Sequence, residues 1–292
     1  MKRSAPLLLA LLLASTSLAG AQNRRLSDDQ RQAFRIHGVT PSFVEAMEGA
    51  GLSRLSPDQL VAFRIHGVTP EFVKEIESVG FGDVEADQLV AFRIHGVSAK
   101  YARDMRSLRI DGADGDDLVG FRIHGVTPRF IKSMNDQGVT PTDASQYTAF
   151  RIHGVTPEYV DEVRTMGFSE AGSSDLVAFR IHGIDREFVR DMSDLGLKDL
   201  SPNQALRLKI YRVSRGFLDE MTELGLSDFT ADRLAAMKIL KVDRRLVNRL
   251  ASQRFEDVSI QRLLQRHGHK SGDWLDPEMK TAVESVVRDL TR

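Results

Sequence analysis

Six phenylalanines, Phe34, Phe63, Phe92, Phe121, Phe150 and Phe179, stand 29 residues apart without a slip, and the same step then lands on Leu208 and Met237. Around each lies a variant of the segment LVAFRIHGVTP, as at Leu60 to Pro70. A fixed period between roughly 20 and 50 residues demands supersecondary units that stack on one another, because no such unit can bury its apolar side alone. Eight registered copies therefore predict a repeat architecture.

Each copy contains two helix starts. In the second copy Ser56, Pro57 and Gln59 form a capping box with proline at the first helical position, and similar openings occur at Ser27 with Gln30, Asp143 with Gln146 and Ser201 with Gln204. The first helix is expected over about Pro57 to His66, ended by Gly67 in the left-handed C′ position, with Gly38, Gly96, Gly125, Gly154 and Gly183 in the same column. The next cap column reads Thr40, Thr69, Ser98, Thr127, Thr156, Asp185, Ser214 and Asp243. Every member can supply the side-chain acceptor that a helix N-terminus needs. A second helix then carries Phe72, Val73, Ile76 and Val79 at helical spacing and ends near Gly80. These signals predict an all-α protein, an α-solenoid of about eight 29-residue helical hairpins closed by a C-terminal capping helix.

The ends break the pattern as a stacked array requires. Arg31 and Gln32 replace the apolar pair Leu60 and Val61 in the first copy. At the far end Ser259 to Leu264 reads as a degraded ninth first helix. An amphipathic helix follows from Pro277, capped by Asp276, with Ala282, Val283, Val286 and Leu290 on one side. The domain reading is thus 1–21, 22–258 for the array, and 259–292 for the degenerate repeat and capping helix. Residues 1–21 read as a cleaved secretory signal: Lys2 and Arg3 precede the apolar run Leu7 to Ala14, and Ala19-Gly20-Ala21 offers a small-residue cleavage site. That predicts an exported protein, periplasmic or secreted, without a transmembrane span. The sequence has no cysteine, which removes disulfides, thiolate metal sites and cysteine nucleophiles together. Acids (41) and bases (40) nearly cancel, so net charge gives no argument for nucleic acid or anionic lipid.

Two ladders of polar residues run through the motif: a cation column that includes Arg64, Arg93, Arg122 and Arg151, and a histidine column that includes His66, His95, His124 and His153. On a helical wheel Arg64 falls between Leu60 and Val61, and His66 between Ala62 and Phe63, so neither is expected on an open polar face. A cation so placed needs a carboxylate or a free carbonyl at a neighbouring helix end. Recurrence in every unit points to architecture, and parallel histidines roughly 10 Å apart cannot share an ion that needs ligands at about 2 Å. No cofactor is expected. His269, which falls in the histidine register, forms a weaker metal-binding candidate with His267 and Asp273, which do not.

Columns that vary are where recognition can reside. The third copy carries Lys100, Arg103 and Arg106, with Arg109 beyond, and the fourth adds Arg129 and Lys132, between copies that are acidic at the equivalent places. Such a basic patch suits a charged protein or peptide partner. Aromatic residues do not interleave with it except Tyr101, which belongs to the apolar column of Phe72, so a nucleic-acid platform is not expected.

The phrase RIHGVTP followed by (E/R)(F/Y)(V/I), as in Arg64 to Val73 and Arg151 to Val160, resembles helical repeats in the C-terminal extracytoplasmic tail of BlaR1-like bacterial membrane peptidases. The resemblance covers about residues 27–250 and implies a helical fold outside the cytoplasm. Peptidase activity does not carry over, since the sequence lacks an HExxH motif. The functional expectation is a non-enzymatic exported scaffold that binds a protein or peptide in the cell envelope. The alternative is a pH-responsive sensor that uses the histidine column near its unperturbed pKa of about 6.5.

Overall fold

The computed structural model describes residues 26–81, 84–266, 268 and 275–291. The predicted leader, His267, His269 and Asp273 lie outside the described residues. By contact the chain forms two compact units. One holds the chain up to Lys132 together with Pro141–Thr148, and the other holds Ser133–Thr140 with everything from Ala149 onward.

The first unit contains α1 (Asp28–His37), α2 (Pro41–Glu48), α3 (Pro57–His66), α4 (Pro70–Glu77), α5 (Ala86–His95), α6 (Ala99–Ser107) and α7 (Gly115–Ile123). Helices α8 (Pro128–Asp136) and α9 (Ala144–His153) lie at the division. In the second unit come α10 (Pro157–Thr165), α11 (Ser173–His182), α12 (Arg186–Asp194), α13 (Pro202–Ile210), α14 (Arg215–Glu223), α15 (Ala231–Ile239), α16 (Arg244–Leu250), a 3-10 turn at Phe255–Asp257, α17 (Ile260–Arg266) and α18 (Pro277–Leu290). No strand occurs among the described residues. The fold is the expected α-solenoid of helical hairpins.

Capping chemistry explains why the helices begin where they do. Ser27, Ser56 and Ser201 each accept from the backbone N–H three residues on, while the glutamine there returns a bond to the cap N–H. Asp143 departs from that scheme: its carboxylate accepts from Ser145 N–H at 2.7 Å rather than from Gln146, which also holds its pKa below the usual carboxylate range. All eight residues of the second cap column accept from the N–H three positions on, at 2.7–3.4 Å. Threonine, serine and aspartate thus do the same work in different copies.

Between repeats, first helix packs on first helix: α1, α3, α5 and α7 follow one another in the first unit, as α11, α13 and α15 do in the second. Phe63, Phe92, Phe121, Phe150 and Phe179 are all fully buried, whereas Phe34 is only half-buried. In the second unit α15 also packs on α18, and α16 and α17 pack on α18. The terminal helix, capped by Asp276 as expected, closes the array from beyond the degraded repeat.

The turn after each first helix needs a left-handed residue. Gly67 adopts φ +70°, and a Cβ there would lie 3.2 Å from the Arg93 guanidinium, so both torsion and space favour glycine. In the last two copies the same position is held by Arg212 (φ 54°) and Lys241 (φ 48°). An L-residue is disfavoured there. Arg212→Gly and Lys241→Gly are therefore expected to raise stability by about 0.5–1 kcal/mol each in urea unfolding. A lower midpoint in either variant would show that those turns carry no such strain.

Candidate functional site

Within each unit the cation column ties a repeat to the one before it. Arg64 donates through Nε to the carbonyl of His37 at 3.2 Å, and its guanidinium lies 5.0 Å from the Phe43 ring centre. Arg93 repeats this with His66 and Phe72, and Arg122 with His95 and Tyr101. In the second unit Arg180 donates to the carbonyl of Gly154 and lies 3.7 Å from the Tyr159 ring, while Lys209 and Lys238 cover Phe188 and Phe217. One side chain thereby holds both helices of the preceding hairpin. A cation over a ring contributes about 0.5–1 kcal/mol at an exposed site, and a positive charge at a helix C-terminus adds to it.

The wheel reading of these columns needs correction. Arg64, Arg93, Arg122 and Arg151 are exposed, and so are His66, His95, His124 and His153. The buried arc of a first helix is centred between Leu60 and Phe63, not between Leu60 and Val61, so the cation lies at its edge. Burial is instead concentrated on the aromatic beneath. Tyr101, under Arg122, donates its hydroxyl to the Val126 carbonyl at 2.8 Å, and desolvation pushes its pKa up to about 12 against the pull of Arg122.

All five basic-patch residues are exposed on α6 and α8. Lys100 is spent on Asp104 at 2.6 Å, and Arg106 lies over the Phe81 ring at 5.3 Å. Among the described residues no ion pair reaches Arg103, Arg129 or Lys132. Three cations thus remain available for an acidic partner.

A larger feature escaped the sequence reading. Ile36, Ile65, Ile94, Ile123, Ile152, Ile181 and Ile210, one per copy, are between 49% and 67% exposed. In the middle copies each stands beside two half-exposed small or branched residues of the same helix, as Val61 and Ala62 flank Ile65. The first helices are apolar on two opposite arcs, with the cation and histidine columns on the edges between them. Here one arc is buried and the opposite arc is open. The signal was present: at about 100° per residue, Val61, Ala62 and Ile65 fall on the far side of the wheel from Leu60 and Phe63.

In the eighth copy this outward arc is covered. Ala235 and Ala236 are 0% exposed and Ile239 is 2% exposed, and the neighbour that distinguishes α15 from earlier first helices is α18. The terminal helix buries Met279, Ala282, Val283, Val286, Val287 and Leu290. Two arginines fasten it. Arg207 binds Asp232 at 2.6 Å, Asp276 at 2.5 Å and Glu278 at 3.2 Å, and Arg233 binds Ser285 at 2.6 Å and Asp289 at 2.7 Å. Arg207 stands in the column that holds Ala62 and Ala91 elsewhere, and Arg233 in the column of Gln59 and Gln88. The Arg207–Asp232 and Arg233–Asp289 pairs are only partly exposed and so are screened less than surface ones, whereas Asp276 and Glu278 are exposed.

No known family model matches the chain, and no curated protein matches it.

Proposed function

We propose that the protein is an exported, non-enzymatic helical-repeat scaffold that binds a protein or peptide partner in the cell envelope. The observation that carries this reading is the repeated outward arc: a contiguous apolar surface on stacked helices is what an interaction site requires. The free cations on α6 and α8 add a charged surface in the same unit. The leader-like N-terminal sequence and the resemblance to extracytoplasmic repeats supply the location.

The test is affinity capture from envelope extract with immobilised protein lacking residues 1–21. Capture of a defined partner is expected with the wild-type chain. It is expected to drop at least about tenfold either with Ile65→Glu plus Ile94→Glu or with Arg103→Glu plus Lys132→Glu, since both place a charge where the surface offers the opposite chemistry. Absence of any saturable capture, or capture indifferent to both double variants, overturns the reading.

A further inference from the structure

The first unit presents, open on its first helices, the outward arc that α18 covers on α15 of the second. Helices α3, α5 and α7 pack in sequence, so Val61 with Ile65, Val90 with Ile94 and Val119 with Ile123 form one continuous apolar face. The chain itself shows what such a face accepts: an amphipathic helix with small and branched apolar residues along one side.

Charge then distinguishes the occupant from α18. In the second unit Arg207, lying over the alanine column, bridges Asp232 on the face to Asp276 and Glu278 on the docked helix. The counterparts of Asp232 in the first unit are Asp87 and Asp116, both exposed, each held by the glutamine of the preceding repeat at 3.1 and 2.8 Å. The counterparts of Arg207 are Ala62 and Ala91. This face has the acids without the arginine. A second copy of α18 would bring Asp276 and Glu278 against like charge, and Asp289 against the uncharged Gln59 and Gln88 that stand in the Arg233 column. The ligand has to bring the cation.

We infer that the face formed by α3, α5 and α7 is a groove for an amphipathic α-helix of a partner protein, with an aliphatic stripe like that of α18 and lysine or arginine along the edge that meets Asp87 and Asp116. This deepens the scaffold reading and rests on it.

The probe is a synthetic peptide of residues 276–290 carrying Asp276→Lys, Glu278→Lys and Asp289→Lys, with the unaltered peptide as comparison. Its positive charges are repelled by Arg207 and Arg233, so it cannot exchange with the native terminal helix. In fluorescence anisotropy the lysine peptide is expected to saturate the full protein and to bind at least about tenfold tighter than the unaltered peptide. Ile65→Glu plus Ile94→Glu is expected to weaken it at least about tenfold, and Asp87→Asn plus Asp116→Asn to weaken it and flatten its salt dependence. The isoleucines are exposed, so an unchanged circular dichroism melt confirms that these variants fold.

No saturable binding of the lysine peptide, or binding unaffected by the isoleucine variant, overturns the proposal. Self-association in sedimentation that the isoleucine variant abolishes would assign the face to a second copy, and flotation with phosphatidylcholine–phosphatidylglycerol vesicles lost in that variant would assign it to a lipid surface. Either result also overturns the proposal. Should envelope capture succeed while the peptide fails, the scaffold reading stands and the helical ligand alone is rejected.

Discussion

Val283→Asp combined with Val286→Asp is expected to release α18 and unfold the last repeats while leaving the first unit intact. Both valines are 1% exposed on the face that meets the array. A lone carboxylate in such a place costs several kcal/mol, more than the pairs made by Arg207 and Arg233 return. Release exposes Ala235, Ala236 and Ile239 and leaves Arg207 and Arg233 facing only Asp232 and solvent. Hydrogen exchange checks the outcome: amide protection is expected to fall throughout α15–α18 and to remain in α3, α5 and α7. Loss of protection in both units alike would contradict a stack whose members depend on their immediate neighbours.

Phe92→Ala is expected to destabilise the first unit by about 3–5 kcal/mol, the usual range for emptying a closed aromatic site. Phe92 is fully buried in α5, whose packing partners are α3 and α7. A stacked array has no distant contacts to share such a loss, so the defect uncouples the repeats on either side. Urea unfolding followed by circular dichroism is expected to lose its single transition and show an earlier, shallower step. Phe34→Ala provides the contrast. Being half-buried at the open end, Phe34 is expected to cost less than half as much and to leave the transition single. Equal effects from the two variants would mean that the interior aromatic is not what joins the repeats.

The hairpins were legible because their signals are local. A serine or threonine acceptor three residues before an amide, proline at the first helical position and glycine after the last turn act within a few residues, and repetition removed the ambiguity of any one copy. What was not legible depended on the neighbour. Whether Val61 and Ile65 meet another hairpin or solvent is settled by which arc of α3 the rest of the unit takes, and a helix with two apolar arcs does not declare that. The same difficulty misplaced Arg64: its acceptor, the His37 carbonyl, and its ring, Phe43, both belong to the previous copy. Arg207 and Arg233 stand in two different columns of the repeat, and neither column marks them in the sequence. Only the arrival of Asp276, Glu278 and Asp289 from the end of the chain gives them a purpose. The left-handed turns at Arg109, Arg212 and Lys241 were equally hidden, because the residue type favours no such torsion.

A hairpin whose front fits the back of its own duplicate is, in principle, the subunit of an endless fibre, since head-to-tail contacts that do not close into a ring propagate. Gene duplication could lengthen such an array freely, with every new junction already solved. In the second unit the eighth first helix instead meets a helix of another kind, α18, which Arg207 and Arg233 clamp in place.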